Sequence, residues 1–288
     1  SVVCESTDGS TLYIGSGADH IGSEIEYIYA IDVSTGNYLW RKAVDFSDWP
    51  ECCRGFMAGC SIDTFGNVYL TGQNGILYSF KDDRTAYKEN WTFNLGTESR
   101  MPVAIDSENG IIYACSNSSV IYKLNMSGSV LARKNLKAGE VFAALVLSPD
   151  GETIYVNAED TKLHALTTLD FTEKWAYTFE SWGSDPLVRD DGVVVVVGQI
   201  GGVARVCAIR DDNTSGTLLW SSVELMSRVM LNETNVNMGP EGNIYVHTGE
   251  LSPRALYAIQ GNGMGLSTLS PWPKIMGSMQ NNGKKYDA

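Results

Sequence analysis

The sequence predicts an all-β protein, a six-bladed β-propeller of four-stranded antiparallel blades. Three observations carry that expectation. A polar, glycine-bearing turn recurs at Gly9, Gly66, Gly110, Gly151, Gly192 and Gly242, spaced 41 to 57 residues apart. Each turn is followed by a short strand-like run: TLYIG (11–15), NVYLTG (67–72), IIYACS (111–116), TIYVNA (153–158), VVVVVG (193–198) and NIYVHTG (243–249). A second column follows: YIYAID (27–32), ILYSFK (76–81), VIYKLN (120–125), KLHALT (162–167), RVCAIR (205–210) and ALYAIQ (255–260).

Each element has its own reason. Strand A, innermost, precedes the glycine turn; strand B follows it, strand C carries the second column, and strand D ends near a tryptophan. The A–B turns read TDGS, TFGN, SENG, SPDGE, DDG and GPEGN, where glycine supplies the positive φ of a tight hairpin. The B and C runs alternate, or stay apolar for five or six residues, as half-buried or fully buried strands do. No segment sustains a 3.6-residue period, so essentially no helix is expected. Trp40, Trp91, Trp175 and Trp220 close four units, with Leu131 in that place in a fifth, and are expected to pack flat on the neighbouring blade. The expected blades are 1–45, 57–95, 101–137, 141–180, 184–224 and 232–270, one domain with a polar tail at 271–288.

Side chains of apparent chemical interest fall into these columns. Cys4 and Cys60 both lie nine residues before a strand B tyrosine, so they are expected as equivalent buried small hydrophobes. His164 occupies the strand C tyrosine column (Tyr29, Tyr78, Tyr122, Tyr257) and is expected to fill an inter-blade slot. The insert 17–27 holds Asp19, His20, Glu24 and Glu26, and reads as a solvated hairpin tip. There is no GxSxG, HExxH, CxxC or Walker loop.

Composition narrows the partners. The net charge of −13 is spread along the chain, which disfavours nucleic acid, and no run of 18 apolar residues could span a membrane as a helix. Ser1 begins almost directly in strand-like sequence, as a trimmed N-terminus would. Five Asn-x-Ser/Thr triplets, at Asn90, Asn117, Asn125, Asn213 and Asn232, are glycosylation candidates. An extracellular, cell-surface or periplasmic location is expected.

The phrase DGSTLYIGS…YIYAIDVSTGNYLW (8–40) resembles the repeat of the quinoprotein-like, or pyrroloquinoline quinone (PQQ) repeat, propellers. ALYAIQ (255–260) and KLHALTTLDFTEKW (162–175) match in part, and SPWPKIMGSMQNNGK (270–284) resembles the chain ends of such proteins. The resemblance implies the propeller fold over nearly the whole chain. It also implies where a ligand would sit: on the D–A connections, where the adjacent Cys52–Cys53 resembles the vicinal disulfide of PQQ-dependent alcohol dehydrogenases. The ligand-binding candidates on these connections are Trp49, Cys52, Cys53, Arg54, Arg100, Trp182 and Arg228. Arginines there could grip a carboxylate bidentately, with a tryptophan as a flat wall. The length, about half that of those eight-bladed enzymes, and the lack of their calcium ligand set argue for a protein without cofactor. The leading expectation is therefore a non-catalytic binding or scaffold propeller with a protein or glycan partner, or self-association. The alternatives are a PQQ- and calcium-dependent oxidoreductase and a bacterial envelope assembly scaffold.

Overall fold

The computed structural model describes residues 3–17, 22–225, 235–239, 241–247, 255–261, 263–272 and 274. Among the described residues the regular elements are 23 β-strands and one 3-10 turn at Glu51–Cys53, in keeping with the absence of helical periodicity. No helix among the described residues is long and apolar enough to cross a membrane.

The strands form six antiparallel meanders. The first sheet is β1 (Cys4–Glu5), β2 (Thr11–Gly15), β3 (Ile25–Asp32) and β4 (Tyr38–Asp45). The second is β5 (Ser61–Ile62), β6 (Asn67–Thr71), β7 (Ile76–Asp82) and β8 (Tyr87–Asn94). The third is β9 (Ala104–Asp106), β10 (Ile111–Cys115), β11 (Val120–Asn125) and β12 (Val130–Asn135). The fourth is β13 (Val146–Leu147), β14 (Thr153–Asn157), β15 (Lys162–Thr167) and β16 (Glu173–Thr178). The fifth is β17 (Leu187–Val188), β18 (Val193–Ile200), β19 (Val203–Asp211) and β20 (Gly216–Ser221). The sixth is β21 (Asn235–Met238), β22 (Ile244–His247) and β23 (Leu256–Ile259), three strands among the described residues. Two compact units result: sheets one to three fall within Ser1–Leu136, sheets four to six within Lys137–Met279.

In the second unit the core lies between successive sheets. The VVVVVG run explains itself there. Val193, Val195 and Val197 join Val236, Met238, Ile244 and Val246 in one apolar cluster. Val194 and Val196 join Tyr155, Leu163 and Trp175 in another. A strand buried on both faces has no polar side to show, so its sequence does not alternate.

Each four-stranded sheet carries an irregularity at the same place. The C–D ladder slips by one residue after Ala30, Ser79, Lys123, Ala165 and Ala208. The bulged residue on strand D is Leu39, Asn90, Leu131, Lys174 or Leu219, directly before the tryptophan position. This corrects the expectation for Leu131: Ala132 holds the register of the tryptophans, opposite Lys123, and Leu131 is 52% exposed. A bulge adds local twist, which aims the next side chain out of its own sheet.

What it aims at is a carboxylate in the next sheet. Trp40 Nε1 donates to Asp82 Oδ1 at 2.7 Å, while the Tyr13 hydroxyl donates to Asp82 Oδ2 at 2.9 Å. The same clasp recurs where Trp175 Nε1 and the Tyr155 hydroxyl reach the two oxygens of Asp211, both at 2.7 Å. Each aspartate also caps its own turn, taking the amide of Arg84 or Asn213, both at positive φ. In the second sheet Trp91 Nε1 donates instead to the Met126 carbonyl. Trp91 and Trp175 lie so close to Gly128 and Gly216 that a Cβ there would come within 2.7 and 2.6 Å of the rings. Trp220, by contrast, is 36% exposed, so the expected flat packing does not extend to it.

Cys4 and Cys60 are buried as expected, but they form a disulfide, and they are not equivalent. Cys4 pairs with Tyr13, whereas in the second sheet it is Ser61 that pairs with Tyr69. Cys60 therefore stands one residue out of the column, and a one-residue slip turns a side chain to the opposite face. The two thiols meet across the first and second sheets. Closing a loop over a sequence separation of 56 contributes about 4 kcal/mol in the chain-entropy account.

Replacing Asp82 by alanine strands the buried Tyr13 hydroxyl and Trp40 indole without their acceptor. The expected cost is about 2–5 kcal/mol, read from the urea midpoint, and Asp211→Ala should match it.

Candidate functional site

A meander puts the A–B and C–D turns on one edge of each sheet and the B–C turns and D–A connections on the other. On the first edge the acids are spent on their own turns. Asp8 accepts from the Ser6 and Ser10 hydroxyls and the Ser10 amide, and Asp32 from the Ser34 hydroxyl and the Thr35 amide. Asp83, Asp150 and Asp170 do likewise. These bonds, led by Ser6 for Asp8 and Ser34 for Asp32, hold both carboxyls at about 2, below the ordinary 3.8. A polar cleft of about 160 Å³ between the first two sheets also opens here, and its Asp82 and Arg84 are committed to the clasp and to Asp32.

The opposite edge is less complete. In the first unit Trp49, Cys52, Cys53 and Arg54 share one loop around the 3-10 turn, where the Cys53 amide donates to the Pro50 carbonyl. Trp49 is half-buried. Arg54 Nε donates to the Trp49 carbonyl at 2.9 Å, and its guanidinium lies 3.9 Å from Glu24, so the fork faces its own loop. The Gly22 amide donates to the Glu51 carbonyl, which ties the described end of the insert to the same loop. Glu26 is buried under Ser16 and Ser23; Asp19 and His20 lie outside the described residues.

The B–C turns repeat one geometry. The Gln73 amide donates to the Gly55 carbonyl, and the Asn117 amide to Glu98, both at 2.9 Å. Gly75 and Ser119, two residues further on, share a positive φ of 70° and 57°. Gln73 is fully buried, and neither its amide nitrogen nor its oxygen has a hydrogen-bond partner among the described residues. The next connection adds a cluster. Asn117 Nδ2 donates to Glu98 Oε1 at 2.9 Å, and Arg100 stands 3.8 Å from Glu98 Oε2. Asn117 Oδ1 and Glu98 Oε2 make no hydrogen bond among the described residues, yet the Glu98 and Arg100 side chains stay 23% exposed. Burying such atoms without partners costs about 1–3 kcal/mol each.

The second unit continues the pattern within itself. The Glu159 amide donates to Glu140, and the Trp182 indole to the Glu159 carbonyl at 3.1 Å. Asp185 accepts from the Ala144 amide, and burial raises its carboxyl to about 6. His164 is buried in its column with Nδ1 on Glu173 and Nε2 on Asp160. Cys115 and Cys207 are thiols that burial pushes up to about 12, which leaves them inert. Glu224 is exposed; Arg228 and Asn232 lie outside the described residues.

A family model described as outer membrane protein assembly factor BamB matches residues 116–264, more than half of the chain. The protein belongs to the PQQ-repeat family. No curated protein matches it significantly. Among solved structures, this PQQ-repeat protein is similar to a chain of the mitotic checkpoint complex, at 15% identity and TM-score 0.65, covering 90% of this chain and 76% of that one. It is similar to hydrazine synthase of Kuenenia stuttgartiensis, at 14% identity and TM-score 0.63, over 85% and 72%. It is similar also to Sqt1 of Chaetomium thermophilum bound to the N-terminus of ribosomal protein L10, at 16% and 0.64, over 90% and 74%. At such identities the likeness establishes the β-propeller fold alone.

The described residues do not fit PQQ with its calcium ion. No three His, Cys, Asp or Glu side chains among them gather around a common point, and Arg54 and Arg100 are each turned to a carboxylate of their own edge. No step is derived through that cofactor. Gln73 is the residue that sequence reasoning missed. Its signal was register: with Asn117 and Glu159 it forms a polar column two residues before a positive-φ turn position.

The sequons differ sharply in setting. Asn117 is 3% exposed with its nitrogen engaged. Asn90 is the bulged residue of β8, with its nitrogen on Asn67 and Ser79. Asn125 caps its turn through its oxygen, and Asn213 is exposed with only its oxygen taken, by Lys174. Glycopeptide mass spectrometry after secretion from a glycosylating host should find Asn213 occupied and Asn117 bare.

Acid offers a second check. Depressed carboxyls stabilise the fold above their ordinary value and lose that contribution as pH falls through their folded one. The urea midpoint should therefore drop between pH 4 and pH 2, and Asp8→Asn with Asp32→Asn should flatten that drop.

Proposed function

We propose that this PQQ-repeat protein is a non-catalytic binding and interaction module of an extracellular, cell-surface or periplasmic setting. It engages a protein or glycan through the B–C and D–A edge of its second and third sheets. One observation carries this reading: on that edge the Glu98 and Arg100 side chains stay 23% exposed beside Asn117, while acids on the opposite edge are consumed by their turns. A partner with a carboxylate or a donor group pairs there with the Arg100 guanidinium and the exposed part of Glu98. The Cys4–Cys60 disulfide hints at an oxidising compartment, where such bonds persist.

A narrower reading, a bacterial envelope assembly scaffold, is favoured by the family match itself. One experiment addresses both. A photo-crosslinking residue is placed at Arg100, or at Arg84 on the opposite edge, and the protein is irradiated in its source cells. Crosslinks should form from position 100 and be at least tenfold weaker from position 84; equal yields would sink the edge assignment. Outer-membrane proteins among the products would select the envelope scaffold. Dye-linked dehydrogenase turnover after addition of PQQ and calcium would overturn the non-catalytic reading.

A further inference from the structure

Among the described residues the sixth sheet ends at its strand C. The first five sheets each carry a strand D outside strand C, whereas β23 pairs with β22 alone. The residues that follow β23 do not supply such a neighbour. In the fifth sheet the chain turns after Asp211 and runs back along β19 as β20. After Ile259 it goes inward instead: the Gly261 amide donates to Asn243 Oδ1, and the Gly263 amide to the Glu241 carbonyl. Leu266 then bridges Arg189, and the Ser267 amide donates to the Val188 carbonyl, on the innermost strand of the fifth sheet. The N–H and C=O groups of β23 that turn away from β22 form an open ladder edge, a template for one more strand.

A second observation marks the same place. The strand D tryptophans reach the start of strand D in the following sheet. The Trp40 ring lies 5.7 Å from that of Tyr87, the first residue of β8, and Trp175 packs on Gly216, the first residue of β20. Trp220 stands at the same register of the fifth sheet, opposite Ala208, and faces a sixth sheet without that strand. It is 36% exposed, against 7% and 5% for Trp40 and Trp175. Its Nε1 has no acceptor among the described residues, where theirs have Asp82 and Asp211.

Register says what fits the open edge. The tryptophans lie opposite a small residue of strand C: Trp40 opposite Ala30, Trp91 opposite Ser79, Trp175 opposite Ala165. Where strand C has Lys123 instead, strand D has Ala132. The counterpart in β23 is Ala258, which follows Tyr257 as Ala208 follows Cys207. A small residue at that position is complemented by a large one across the ladder. Leu256, two residues away on the same face, is 73% exposed, while its counterparts Leu163 and Val206 are fully buried. It gives an aromatic ring opposite Ala258 an apolar surface to cover.

We propose that the outer edge of β23 captures an extended segment of a partner protein, which adds antiparallel as a strand D and sets an aromatic side chain opposite Ala258. The segment is six to eight residues long, the length of the five strands D already in place, and its first residue covers Trp220. This surface is additional to the edge of the second and third sheets and does not depend on it.

The test uses the full chain and a labelled synthetic peptide of residues 87–94, YKENWTFN, as a surrogate strand D. Hydrogen exchange read by mass spectrometry should find the amides of 255–260 exchanging faster than those of 205–210 in the free chain, and slowed by the peptide. Trp91→Ala in the peptide, or Ala258→Lys in the protein, should each weaken binding about tenfold or more by fluorescence anisotropy. If Ala258→Lys does not fold, the peptide variant decides alone. Equal protection of 255–260 and 205–210 in the free chain would overturn the proposal, because the chain's own residues then complete the sheet. So would slowing confined to other strands, or binding indifferent to both substitutions. A photo-crosslinking residue at Leu256, irradiated in the source cells, identifies the occupant. The expected product joins another protein through a segment that carries an aromatic residue, and disappears with Ala258→Lys; adducts of this chain with itself alone would overturn the partner assignment.

Discussion

The aspartate clasp is the contact on which the rest of the architecture leans. A bulge in strand D turns Trp40 or Trp175 out of its own sheet, and a carboxylate at the end of strand C in the next sheet receives both that indole and a strand B hydroxyl. Burial and the adjacent carboxylate push the Tyr13 and Tyr155 hydroxyls well above the ordinary tyrosine value, which keeps them as donors. One acceptor thereby fixes three things together: the pitch between sheets, the twist of strand D and the αL turn that follows strand C. Packing alone is non-directional and would tolerate a slide of one sheet over the next; two hydrogen bonds to one carboxylate do not.

Much of this was legible in the sequence because it is periodic. Glycine turns, the strand B tyrosines and the tryptophans recur, and a recurring pattern survives small errors of reading. What escaped was set by single-residue shifts. The A–B turn in the second sheet is one residue shorter than in the first, which carried Cys60 onto the other face and made a bond of two residues that looked equivalent. Leu131 aligned with the tryptophans by counting from the turn, but the bulge moves the register to Ala132. The segment carrying Leu266, Ser270, Trp272 and Lys274, which meets β13 and β17, was hidden for another reason. It follows no repeat, and its partners Leu147 and Leu187 are more than 75 residues away in sequence.

The two sheet edges differ in how their polar side chains are bonded. Asp8, Asp32, Asp83 and Asp150 are turn residues whose carboxylates accept from the turns' own amides. The side chains with unspent capacity are mostly uncharged amides, at Gln73 and Asn117, with Glu98 between them in the turn contacts. The unpartnered buried atoms lie on the edge where the dehydrogenase resemblance also placed its candidates, Trp49, Arg54 and Arg100 among them.

The Cys4–Cys60 bond has a mechanical meaning. Strand β1 is only two residues long, and a ladder that short would ordinarily peel away under a pull on the chain preceding it. With the bond in place, tension entering at Cys4 passes covalently into Cys60 and the strand that follows it, so the load is shared by two sheets rather than borne by one edge. The first strand then behaves as a rivet, and shear that would unzip a noncovalent edge must instead deform two blades at once.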